Sequence, residues 1–133
     1  MRHLDTCIVI ACLNGNRAVA EHLKRHLHEL AISSVVLGEL LYGARASARS
    51  TENLNNLAKF LQLVSIAEYD RKSADFYSRI RLQLRQQGRP SGEADMMIAA
   101  TALAESAILV TDNIKHFKHI ENLCIENWLQ DSQ

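Results

Sequence analysis

An excess of charge of either sign is missing from this chain of 133 residues, in which 15 basic side chains face 15 acidic ones for a formal balance of zero. A global basic field that would hold nucleic acid or a membrane surface is therefore excluded, and a polyanionic partner must be met by a local patch. Cysteine is scarce: Cys7, Cys12 and Cys124 are odd in number and show no C-x-x-C spacing. That pattern argues against a disulfide framework and a structural zinc site, and predicts small buried hydrophobes in a reducing compartment. Apolar runs are short. Residues 7–13 cannot span a bilayer, follow an acidic rather than a basic segment, and end in Asn14-Gly15-Asn16 rather than at a small-residue cleavage site. Internal repeats, linkers and low-complexity segments are also missing. The expectation is a cytoplasmic protein with no membrane partner, folded as a single domain over 1–133 that buries roughly two thirds of its unfolded surface.

What is present is an alternation of short apolar runs with longer amphipathic segments. Arg2-His3-Leu4 is a strand candidate, and residues 6–13 form a helix stopped by Asn14-Gly15-Asn16. Over 17–29, Val19, Leu23, Leu27 and Leu30 recur at helical spacing opposite Glu21, Lys24, Arg25 and Glu29. Ala31-Ile32-Ser33 is the next strand, and Ser33 or Ser34 caps a helix to about Ala46. A helix over 51–61 leads into the strand run 63–66. Asp70 caps a helix over 71–87 whose stripe is Ala74, Tyr77, Ile80 and Leu84. The loop 88–92 precedes a helix over 93–105. Ile108-Leu109-Val110 and Leu123-Cys124-Ile125 are the last strands. Such alternation indicates crossover units and a parallel sheet covered on both faces.

Asp5, Glu39, Asp95 and the pair Asp112-Asn113 sit at or just past the ends of these apolar runs. In an open α/β sheet, side chains beyond the carboxyl ends of parallel strands converge in one crevice. Carboxylates gathered there repel by about 4 kcal/mol per pair at ~4 Å, with an effective dielectric of about 20. Protons, arginines or a hard divalent cation must neutralise them, and an all-oxygen set suits the cation. Each acid also has a plainer role. Asp5 and Asp112 can be helix or turn caps, and Asp95 complements a helix dipole. Glu39, with Val35, Val36, Tyr42 and Gly43 as helical neighbours, is expected on the apolar face, where the plain alternative is a salt bridge to Arg45 or another arginine. His22 and His26 stand one turn apart without an H-E-x-x-H motif, and with His116 and His119 they are expected to be solvated. Arg79, Arg81, Arg85 and Arg89, with Lys72, either line a backbone-phosphate path or form a solvated face.

Four segments carry a resemblance: L-D-T-C-I at 4–8, I-S-S-V-V-L-G-E-L-L-Y-G at 32–43, G-R-P-S-G-E-A-D-M-M-I-A-A-T-A at 88–102, and L-V-T-D-N-I-K-H-F at 109–117, followed by E-N-W at 126–128. In this order they resemble the PIN-domain family, specifically the small VapC-like ribonuclease toxins of bacterial toxin–antitoxin pairs. The resemblance implies a three-layer αβα sandwich around a central, mostly parallel five-stranded sheet, dependence on Mg²⁺ or Mn²⁺, and RNA as substrate. It also implies a homodimer and a small VapB-like antitoxin whose Arg or Lys side chains block the site. By position, Asp5, Glu39 and Asp95 match the family's three acidic residues. Thr111 and Phe117 set a register that puts Asn113 in the fourth place, with Asp112 one residue off. Cys7 stands where the family more often has Asn, which removes a hydrogen bond that would orient Asp5.

The leading expectation is metal-dependent endoribonuclease activity that leaves a 5′-phosphate and a 3′-hydroxyl. One alternative is a phosphatase of the haloacid dehalogenase type, although Cys7 replaces the second aspartate of its Asp-x-Asp. The other is a non-catalytic module whose acidic pocket captures a basic tail.

Overall fold

Strands of two to four residues have no stability of their own, so the positions of the five apolar runs are set by how they pair. In the computed structural model, which describes residues 1–129, the order is β1 (Arg2–Leu4), α1 (Thr6–Leu13), α2 (Arg17–Arg25), β2 (Leu30–Ser33), α3 (Ser34–Ala46), α4 (Ser50–Leu61), β3 (Ser65–Ala67), α5 (Arg71–Gln86), α6 (Glu93–Ala104), β4 (Ile108–Val110), α7 (Ile114–Phe117) and β5 (Ile125–Glu126). The strands lie in the order β3-β2-β1-β4-β5, and every neighbouring pair is parallel. Successive strand residues point to opposite faces, yet Leu30, Ala31, Ile32 and Ser33 are all buried. Helices must therefore cover the sheet on both sides, giving an α/β/α layering.

From β1 the chain adds β2 and β3 on one side, then returns to add β4 and β5 on the other. The order thus reverses between β1 and β4, the position where such sheets open a crevice at their carboxyl ends. The register aligns Leu4 with Val110, and the Asp5 amide continues the ladder by donating to the Val110 carbonyl at 2.9 Å. Asp5 and Thr111 consequently leave adjacent strands side by side.

Helix starts follow the expected chemistry. Ser33 and Asp70 accept from the amides of Val36 and Ser73 at 3.1 and 2.9 Å. The core is built from Leu4, Ile8, Ile32, Val36, Ile98, Leu109 and their neighbours.

Several details differ from the periodicity. The α2 helix stops at Arg25 because His28 takes a left-handed φ of 77°, which lets the Glu29 carbonyl accept from Arg2 at 2.7 Å. Leu27 is left exposed. The third strand starts at Ser65 rather than at 63, since turn bonds from Gln62 and Leu63 close the end of α4. On α5 the buried stripe is Ser73, Ile80 and Leu84, one position away from the expected Ala74. β5 falls at 125–126, which leaves Cys124 exposed, and Cys7 and Cys12 are only half-buried.

His22 and His26 are not simply solvated either. Both rings stack on Trp128, at centroid distances of 4.9 and 5.7 Å, and Trp128 is 1% exposed. The indole donates to Glu126 at 3.1 Å, and Glu126 takes a two-pronged bond from Arg2 at 3.0 and 3.1 Å. The C-terminal segment is thereby fastened to β1 and α2.

Candidate active site

Asp5 follows β1 directly and is the N-cap of α1, so the plain capping role is real. Its carboxylate nevertheless turns toward the crevice. One oxygen accepts from its neighbour's amide, Thr6 N, at 2.8 Å, while the amides of Ile8 and Val9 bond the Asp5 carbonyl instead. The other oxygen accepts from the Thr111 hydroxyl at 2.7 Å, and the Cys7 thiol lies within 3.8 Å. Thr111 is the first residue past β4 and fully buried, and its oxygen also accepts from the Asn113 amide at 3.0 Å. Threonine thus supplies the orienting hydrogen bond, and the expected loss at Cys7 is reduced to a weak thiol contact.

Asp5 is 3% exposed. Burial pushes its pKa above the ordinary carboxylate value, and the nearby charge of Asp95 adds to that, against the downward pull of Thr111 and Thr6. The Cys7 thiol is likewise pushed up, chiefly by burial, with Asp5 and Asp112 contributing.

Glu39 is exposed, contrary to the expectation of an apolar setting. The face of α3 that packs inward carries Val36, Leu40 and Ala44, and Glu39 lies one residue off that line. No arginine pairs with it among the described residues. Its carboxylate accepts from the Thr6 hydroxyl at 2.5 Å. One residue, Thr6, therefore binds Asp5 through its amide and Glu39 through its side chain.

Asp95 stands in the first turn of α6, half-buried, with Oδ2 2.9 Å from Nδ1 of His116. His116 is exposed, as expected, but it is engaged by this bond, and half-buried His119 has a partner too, its Nε2 accepting from Arg89 at 2.9 Å. Asp112 accepts from the Asn127 side chain at 2.9 Å. Asn113 is exposed and heads α7 without a capping bond from its side chain.

Glu39 and Asp95 open onto different hollows. A cavity of about 280 Å³ runs past Glu39 between Ile10, Leu13, Leu40 and Leu57, and a recess of about 510 Å³ flanks Asp95. Among the described residues, no three His, Cys, Asp or Glu side chains are gathered tightly enough to hold a metal ion as they stand. The donor chemistry still suits a hard cation: Asp5, Asp95 and Glu39 offer only oxygens, and no basic side chain pairs with Asp5 or Glu39 among the described residues. His116 would have to yield Asp95 for the three to act together.

The sequence did not single out Thr6 or His116 for the site, and it used Thr111 only to fix a register. A threonine next to Asp5 and another next to Asp112, at Thr6 and Thr111, were the available signal.

The family model described as the PIN domain matches residues 3–123. The chain is 44% identical over 99 residues to the protein named Ribonuclease VapC2 from Rickettsia felis, covering 74% of each. It is 36% identical over 126 residues to the tRNA(fMet)-specific endonuclease VapC of Shigella flexneri, covering 94% of this chain and 96% of that one. Among solved structures it is similar to a chain of the R. felis VapBC2 assembly bound to a promoter DNA fragment, with a TM-score of 0.91, 38% identity and 96% and 98% coverage. The DNA-bound VapBC assembly of Salmonella typhimurium gives a TM-score of 0.92 at 31% identity, covering 96% of this chain and 97% of that one.

Proposed function

This chain belongs to the PIN-domain family, and on that premise we propose that it is an endoribonuclease toxin, assisted by Mg²⁺ or Mn²⁺ and restrained by a small VapB-like antitoxin. Relatives named as a ribonuclease and a tRNA endonuclease support RNA as the substrate, and similarity to chains of VapBC assemblies supports the antitoxin. The observation that carries the proposal is Asp5: a buried carboxylate at the switch point of the sheet, raised by burial and by Asp95, with no basic side chain against it among the described residues.

Asp5 and Asp95 would hold the cation, with Glu39 as a further holder or as the group that takes a proton from the attacking water. When bound, a divalent cation supplies a Lewis acid that stabilises charge developing on the phosphate and makes water acidic enough to react near neutral pH. The chain's own residues prepare that chemistry. Thr111 and the Thr6 amide fix the Asp5 carboxylate, and the Thr6 hydroxyl fixes Glu39. Between the candidates for the fourth position, the bond from Asn127 to one Asp112 oxygen favours exposed Asn113 as the residue that would offer a neutral oxygen to substrate or water, with Asp112 positioning the segment. Hydrolysis would leave a 5′-phosphate and a 3′-hydroxyl.

Residues 1–133 act in this proposal as a single catalytic domain, paired as a homodimer that light scattering would register as twice the monomer mass. The cytoplasm is the proposed compartment, in keeping with thiols left unpaired at Cys7, Cys12 and Cys124. No helix among the described residues is long and apolar enough to cross a membrane.

Purified protein incubated with total RNA and Mg²⁺ should cut it. Asp5→Asn and Asp95→Asn should be inactive, and Glu39→Gln slower by roughly 10²-fold or more, the usual contribution of a positioned acid–base group. Equal cleavage by wild type and Asp5→Asn would exclude the mechanism. A phosphatase is disfavoured by Cys7, a thiol that cannot replace the second carboxylate of Asp-x-Asp. Capture of a basic tail needs no separate module, because an antitoxin arginine competing for Asp95 would have to displace only the single bond from His116.

A further inference from the structure

The recess of about 510 Å³ beside Asp95 is basic, with Arg89, Lys115, Lys118 and His119 in its lining and Leu84 and Pro90 forming an apolar wall. Asp95 is the only carboxylate there, and His116 already holds it at 2.9 Å. Arg89, Lys115 and Lys118 are exposed, and none of them pairs with a carboxylate among the described residues. Two arginines of α5 behave otherwise. Arg79 is paired with Asp75 at 3.0 Å and Arg81 lies 3.7 Å from Glu93, whereas Arg71 and Arg85 have no carboxylate partner among the described residues. What distinguishes α7 and the 88–92 loop is that their bases line one recess beside Asp95. His119 responds to them: partial dehydration, then the charges of Arg89 and Lys118, hold its imidazole below the ordinary value, and its Nε2 accepts from Arg89.

Three basic groups gathered around one carboxylate that bonds none of them leave a net positive recess that calls for an anion, just as the acids of the crevice call for a cation. The volume lies within the 300 to 1,000 Å³ range typical of small-ligand sites, which is larger than a lone phosphate needs. An apolar wall suits a base or ribose. We propose that this recess seats the RNA nucleotide adjacent to the scissile phosphodiester, with Lys115, Lys118 and Arg89 on the backbone phosphates that flank it and the nucleoside against Leu84 and Pro90. The inference rests on the proposed role of Asp95 in cleavage and adds where the neighbouring part of the strand lies. Unstacked single-stranded segments present phosphate and base together in this way.

The test uses a short fluorescent single-stranded RNA and anisotropy titrations over a range of salt, in the Asp5→Asn background so that the probe stays intact. Removing two phosphate contacts with Lys115→Ala/Lys118→Ala should weaken binding roughly 10-fold or more and lower the salt slope by about 1.4, at about 0.7 per contact. Lys24→Ala/Lys59→Ala, which removes the same charge from α2 and α4, should keep the parent slope. The double Lys→Arg variant should recover the affinity. Equal Kd and slope for the two alanine pairs would overturn the proposal. Cleavage assays in the otherwise wild-type chain separate the two claims. Intact RNA together with binding that depends on the Lys115/Lys118 pair rejects the nuclease and keeps the subsite, whereas normal cleavage with an unchanged salt slope rejects the subsite alone.

Discussion

Replacing Thr111 by valine keeps the shape of the side chain and deletes the hydroxyl that donates to Asp5 at 2.7 Å. The group is fully buried, so water cannot replace it. A hydrogen bond to a charged partner contributes about 1.5 to 3 kcal/mol, and a neutral one about 1. The Asn113 amide also loses its acceptor, but Asn113 is exposed and solvent can satisfy it. Thr111→Val should therefore cost about 2 kcal/mol, a fall in Tm of about 8 °C if a domain of this size shifts by about 4 °C per kcal/mol. In the Asp5→Asn background the same change should cost only about 1 kcal/mol, leaving a coupling energy of about 1 kcal/mol. Thermal unfolding by circular dichroism on the four proteins measures this, with Thr111→Ser as the variant that keeps the hydroxyl. Equal losses in both backgrounds would show that the hydroxyl does not serve the carboxylate. The sign of the pH dependence follows from Asp5 itself. Its folded-state pKa is raised, so its stabilising contribution is complete below the unfolded value and is lost as pH rises through the folded value. Asp5→Asn should therefore be more stable than wild type at neutral pH, with the advantage vanishing in acid. Mg²⁺ or Mn²⁺ at about 100 times its Kd should recover about 2.7 kcal/mol in wild type and much less in Asp5→Asn.

Trp128→Ala removes the chain's single tryptophan from a fully packed position and should cost about 3 to 5 kcal/mol by urea denaturation; a loss below about 1 kcal/mol would mean that the histidine stack does not hold the C-terminal segment. Glu126 is held below the ordinary carboxylate value, first by the Arg2 hydrogen bond and with help from Trp128. Its contribution is present above the unfolded pKa and lost as pH falls through the folded one, so Glu126→Gln should lower Tm at pH 7 and match wild type in acid. A Tm difference that does not change with pH would rule out the ion pair as its source.

Where the sequence was legible, the signal was local. The boundaries of β4 and the entry of β1 into Asp5 were visible because an apolar run ends abruptly there, and Ser33 and Asp70 announce their helices. Glu39 was placed on the wrong face because α3 is apolar on most sides, and neighbours at three and four residues cannot choose among them. The pairing of His22 and His26 with Trp128 joins segments about a hundred residues apart, a contact that no periodicity encodes. The α7 helix has four residues, fewer than are needed to show a period, yet it carries His116 and Lys115 and is capped by Lys118, the other lysine of the recess.

That short helix matters because two unneutralised sets of charge lie next to each other without collapsing into salt bridges. The acids come from the end of β1, the middle of α3 and the first turn of α6, and the bases from α7, its C-cap and the 88–92 loop. Asp95 stands at the border and takes its bond from a histidine rather than from a lysine or arginine. A free chain would relax such opposite charges against one another, so rigid elements must keep them apart, at a cost in stability that functional sites commonly carry. On the proposed function, the ligand that meets both sets at once carries its own alternation of sign: a divalent cation for Asp5 and Asp95, and, next to it, a phosphodiester for Lys115 and Lys118. Cation and RNA should then bind cooperatively, each screening the charge that repels the other. If Mn²⁺ affinity were the same with and without the RNA probe in Asp95→Asn and in the parent chain alike, the two sets would have to be regarded as independent.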